Sequence, residues 1–170
     1  MAGVRGTITF GLDLTQIGSN DLGSPKLPVD VSKALSLLEG TAATDQANIM
    51  FSDTRTLAAS ATEDLDLAGV LANVFGSTIT AAEIVLIYVA AATGNTNNVN
   101  VTRPASNGFI GPFLAAGDGV AVKPGEWIPL VSQSGWAVTA GTGDLLTITN
   151  SSSGTSVTYD IVIVGRTVAA

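Results

Sequence analysis

Leu145-Leu146-Thr147-Ile148-Thr149-Asn150 is followed by Ser151-Ser152-Ser153-Gly154 and then by Val157 to Val164, where Tyr159, Ile161 and Ile163 alternate with Thr158, Asp160 and Val162. Side chains that alternate between apolar and polar at period two mark strands with one wet face. The polar gap ending in glycine is turn chemistry, so the pair reads as a β-hairpin. Working outward, the same period recurs along most of the chain. Ile8, Phe10, Leu12 and Leu14 alternate with Thr7, Thr9, Gly11 and Asp13. Glu83 to Val89 is apolar on both faces and rich in β-branched residues, which predicts a strand buried on both sides, ended by the Gly94-Asn95 turn. Val99–Thr102, Gly119–Val122 and Glu126–Val131 are shorter strands, punctuated by Gly117-Asp118-Gly119 and Pro124-Gly125.

Helical signal is scarce. Leu67, Val70, Leu71 and Val74 recur at helical spacing and predict one or two turns within Asp66–Phe75. Val31, Ala34, Leu35 and Leu38 also fit a helix capped by Asp30. Pro28 and Gly40 bracket that segment, however, and favour a short strand over Asp30–Glu39. Many short strands about ten residues apart predict an all-β protein, a β-sandwich or barrel. Residues 1–59 carry two loops, Gly18–Pro28 and Gly40–Asn48, and read as an extended N-terminal β arm or extra sheet edge. Residues 60–170 read as the compact sandwich. An extended arm gains little by ordering alone, so it is expected to lie on its own sandwich or on a neighbour.

The 170 residues contain no Cys and no His. Disulfides, thiolate and imidazole metal sites, Cys nucleophiles and His-based triads are thereby excluded. Charged residues make up only 12% of the chain, and the net charge of −7 argues against sequence-independent binding to nucleic acid or to an anionic membrane. The opening Met1–Gly6 lacks the apolar stretch of a secretory leader. Ile79–Ala92 is too short and too polar to span a bilayer.

Candidate chemistry is thin. No phosphate-cradling glycine loop and no Gly-x-Ser-x-Gly elbow occurs, and Gly141-Thr142-Gly143 enters a strand and reads as a turn. Glu63-Asp64-Leu65-Asp66 is the densest acidic cluster. It fits a Ca²⁺ site or glycosidase carboxylates less well than a strand with Asp64 and Asp66 on its wet face and Leu65 and Leu67 inside. Asn95, Asn97, Asn98 and Asn100 suit sugar recognition in principle, but serve turn geometry more often. Asn100-Val101-Thr102 and Asn150-Ser151-Ser152 match a glycosylation sequon without other signs of a secretory route. Trp127 and Trp136 read as core or interface anchors, with Trp136, after the Ser134-Gly135 turn, the more exposed. Asp53 and Arg55 share a strand face and predict a local ion pair.

Several motifs then occur in order: Phe51-Ser52-Asp53-Thr54-Arg55-Thr56-Leu57, Glu63-Asp64-Leu65-Asp66-Leu67-Ala68-Gly69, Asn107-Gly108-Phe109, Gly111-Pro112-Phe113, Lys123-Pro124-Gly125, Gly135-Trp136, Thr139 to Asp144, and Tyr159 to Gly165. Over residues 40–165 this run resembles small structural proteins of tailed bacteriophages. That group includes head decoration (cement) proteins with a jelly-roll-like sandwich that sit as trimeric knobs on the capsid. The resemblance implies a non-enzymatic homotrimer on the outer capsid surface. Its partners would be itself and the major capsid protein, and it would have no cofactor, metal or catalytic residue. The rival expectation is a fibre-associated module that binds host glycan, since fold alone does not decide between the two. A sugar-cleaving enzyme stands last.

Overall fold

The computed structural model describes residues 3–170. The protein is all-β, and no helix forms among the described residues. Eight strands build two four-stranded antiparallel sheets. For these we number β4 (Ile49–Leu57), β5 (Thr62–Asp66), β6 (Glu83–Ala91), β7 (Val99–Thr102), β8 (Gly119–Val122), β9 (Trp127–Ala137), β10 (Leu145–Asn150) and β11 (Val157–Arg166). They follow β1 (Gly6–Ile17), β2 (Lys26–Glu39) and β3 (Gln46–Ala47). One sheet has the order β5-β10-β7-β8 and the other β4-β11-β6-β9.

The sheets pack face to face over one core. Leu65, Val99, Val101, Leu146 and Ile148 come from the first sheet, and Phe51, Ile87, Val89, Tyr159, Ile161 and Ile163 from the second. These are the period-two positions of their strands, so alternation in the sequence becomes burial in the sandwich. Leu67, Leu71, Phe109 and Phe113 close its ends from loops.

Several expectations are corrected. Leu145–Asn150 and Val157–Val164 do not form a hairpin. β10 pairs with β5 and β7, whereas β11 pairs with β4 and β6, so residues 151–156 carry the chain across from one sheet to the other. Asn150, buried in that crossing, donates to the carbonyls of Ala58 (2.9 Å) and Thr155 (2.8 Å). Asp66–Phe75 forms turns instead of a helix. The carbonyls of Leu67 and Leu71 accept from Ala81 and Ile79 of the returning chain, which removes them from any helical ladder. The strand expected at Asp30–Glu39 is longer and begins at Lys26. Pro28 sits inside it, tolerated because β3 pairs only with Leu38 and Glu39 and leaves that stretch of β2 with one free edge. A division after residue 59 falls inside the sandwich, because β4 pairs with β11 along its whole length.

Outside the sandwich lies the β1-β2 ribbon. Its register runs from Gly6 opposite Leu37 to Ile17 opposite Lys26. Residues directly opposite each other share a face. One face therefore carries Ile8, Phe10, Leu12 and Leu14 with Leu35, Val31, Val29 and Leu27, and the other carries Thr7, Thr9 and Asp13 with Ser36, Ser32 and Asp30. The apolar face meets the sandwich at its base only, where Leu37, Ile8 and Leu35 pack with Val85 and Val164.

Candidate interaction surface

The outer face of the β4-β11-β6-β9 sheet is built by the positions that alternate with the core. Tyr88 stands opposite Pro129 and Val162, Leu86 opposite Val131 and Val164, and Ala90 opposite Trp127 and Asp160. Trp127 is 57% exposed, and its ring lies 6.2 Å from that of Tyr88, tilted by 34°. Trp136 is the less exposed of the two tryptophans, against the expectation. The reason lies in β9, where Ser132–Gly135 bulge out opposite Val85, with Gly135 at φ 80°. The bulge resets the register, so that Trp136 stands opposite Ile84 and turns into the core.

The ribbon overhangs this sheet face. Between β1 (Thr7–Leu12) and Leu86, Tyr88, Trp127, Pro129, Val131 and Val162 opens an apolar cleft of about 1050 Å³. No carboxylate or carboxamide lines it. Phe10 and Leu12 line the cleft, Leu14, Leu27, Val29 and Val31 continue the ribbon beyond it, and all six are between 36% and 60% exposed. An amphipathic ribbon with its apolar face in water is the informative feature here, since single exposed apolar residues are ordinary.

The acidic cluster is occupied by structural work. Leu65 and Leu67 are buried, as expected for the inner face of β5. Glu63 shares that inner orientation and reaches across to the opposite sheet. Its carboxylate accepts the Tyr159 hydroxyl at 2.6 Å and the Arg55 guanidinium at 2.8 Å. Arg55 also meets Asp53 at 3.2 Å, the local pair read from the sequence. Burial, then the hydrogen bond and charge of Glu63, hold the Tyr159 phenol well above its ordinary pKa of 10.0. Asp64 points the other way and accepts from Thr147 on β10 at 2.5 Å.

The asparagine loop is likewise engaged within the chain. Asn95 donates to the Thr158 carbonyl (2.8 Å) and accepts from its amide (2.9 Å), and Asn97 donates to Asn150 (2.9 Å). A site the sequence reading missed is Arg166, which is fully buried at the end of β11. It pairs with Glu83 at 2.6 Å and donates to the carbonyls of Gln46 (3.0 Å) and Ser134 (2.9 Å). This one side chain ties β11 and β6 to β3 and to the bulge of β9. Among the described residues, no group of three or more His, Cys, Asp or Glu side chains is placed to hold a metal ion.

Comparison with protein-family models, with curated proteins and with solved structures finds no match.

Proposed function

We propose that this protein is a non-enzymatic structural component of a virion, a decoration protein that binds the outer surface of a capsid and stabilises it. The observation that carries the reading is the β1-β2 ribbon, a long amphipathic element whose apolar face stays exposed beyond its base. A protein that works by adhesion needs such a surface and needs no reaction centre. The strand order supports the jelly-roll form of the sandwich. Counted from β4, the sheets hold the first, eighth, third and sixth strands and the second, seventh, fourth and fifth, which is two interleaved Greek keys. In this reading the ribbon is the N-terminal arm. The motif resemblance to phage head proteins supplies the capsid as partner, and the net negative charge suits a surface that faces away from packaged DNA.

The glycan-binding alternative needs an aromatic platform with converging amide or acid side chains. Trp127 and Tyr88 offer the platform, but no amide or acid lines the cleft they face. The test is addition of the purified protein to capsids that lack it. Saturable binding at hundreds of copies per particle, with increased resistance of the particle to heat or chelation, is the expected result. Absence of binding, or a few copies at one vertex, would overturn the decoration role.

A further inference from the structure

The exposed ribbon face and the cleft beside it have complementary character, and we infer that they are the two halves of a contact between copies of this chain. The ribbon of one copy lies in the cleft of the next, against Trp127, Tyr88 and Val131. The inference deepens the proposal above by naming the first partner of that surface as a second copy of the chain.

Area is the first argument. The exposed parts of Phe10, Leu12, Leu14, Leu27, Val29 and Val31 on the ribbon sum to roughly 500 Å², and Trp127 and Val131 on the sheet face add roughly 200 Å². The ribbon half alone supplies roughly 500 Å², more than half of the ~800 Å² each partner brings to a stable interface. Charge is the second. A chain of net charge −7 repels its own copies unless the contact surfaces are spared. Here they are. The apolar ribbon face carries one charged residue, Lys33 opposite Phe10, and the outer sheet face carries one, Asp160 in the row with Ala90 and Trp127. The signs are opposite, and Lys33 makes no ion pair among the described residues of its own chain. The two surfaces are different patches of the molecule, so the contact is head-to-tail.

The test is complementation between two variants, read by sedimentation velocity on the full chain. The unmodified protein should sediment as an oligomer at micromolar concentration. The ribbon variant L14D/V29D and the cleft variant W127S/V131S should each be monomeric, with the far-UV spectrum of the sandwich retained. Mixed, they should form a one-to-one complex, because one still has its cleft and the other its ribbon. F75D/L114D, changed at exposed apolar side chains outside the patch, should assemble as the unmodified protein does. A monomeric unmodified protein, variants that remain oligomeric, or a mixture that stays monomeric would each overturn the inference. Should either variant fail to fold, the milder pair L14T/V29T and W127H is read in the same way. Capsid binding by a chain that never self-associates would remove this contact and leave the decoration role standing.

Discussion

Arg166 and Glu83 form the most consequential pair of side chains in the molecule. The arginine side chain has no exposed surface, and its donors reach one carboxylate and carbonyls on two other segments. Removing one member of a buried pair strands the other charge, which typically costs about 3–5 kcal/mol. Arg166→Ala is therefore expected to lower the urea midpoint by that equivalent, whereas the double change R166M/E83L, which leaves no stranded charge, should cost less than either single change. Nothing in the sequence announces this pair, because its members lie 83 residues apart and neither sits in a recognisable motif. Tyr159 gives a second residue-scale prediction. Its phenol is held protonated in the folded state by burial and by Glu63. Above about pH 10 the unfolded chain loses that proton while the folded chain keeps it, so stability contributed by Tyr159 is present below pH 10 and falls as pH rises. Tyr159→Phe should cost about 1–2 kcal/mol at neutral pH through the lost hydrogen bond. It should also flatten the alkaline decline in urea midpoints measured from pH 8 to 11. An equal decline in both proteins would contradict the assignment.

Among the elements, the short strands β7 and β8 were legible because apolar alternation and glycine turns bound them on both sides. The segment 145–164 shows where such signals stop. Strand, polar turn and strand are the same pattern whether the chain folds back beside itself or crosses to the facing sheet. Only the competing partners β5, β7, β4 and β6 decide between the two. The two tryptophans fail in sequence for a related reason, since a bulge in β9 changes which face follows it and a bulge leaves little trace in composition. The ribbon was half legible. Ile8, Phe10, Leu12 and Leu14 announce a strand with one apolar face, but the register that adds Leu27, Val29 and Val31 to that face is a tertiary fact. Because the outer ribbon contributes little to the sandwich core, residues 12–31 should be replaceable by Asn-Gly, a turn suited to joining Gly11 and Ser32. The shortened chain is expected to unfold cooperatively, with a stability within ~1 kcal/mol of the full chain diluted to its monomer. Loss of the folded sandwich would show that the ribbon belongs to the folding unit.

At the scale of the whole molecule, the account is of a sandwich stabilised by its own core and carrying a ribbon that gains little until another surface covers it. A two-stranded ribbon is marginal by itself in water. Its apolar face and the cleft beside it are where association would supply what the monomer lacks. Trp127 reports on this directly, being 57% exposed in the single chain and central to the proposed contact. The most direct measurement is acrylamide quenching of Trp127 fluorescence in a Trp136→Phe background, compared between the full-length chain and the same chain with residues 12–31 replaced. The account predicts strong quenching in the shortened protein and marked protection in the full-length one, with protection falling on dilution. Equal quenching of the two at every concentration would contradict it.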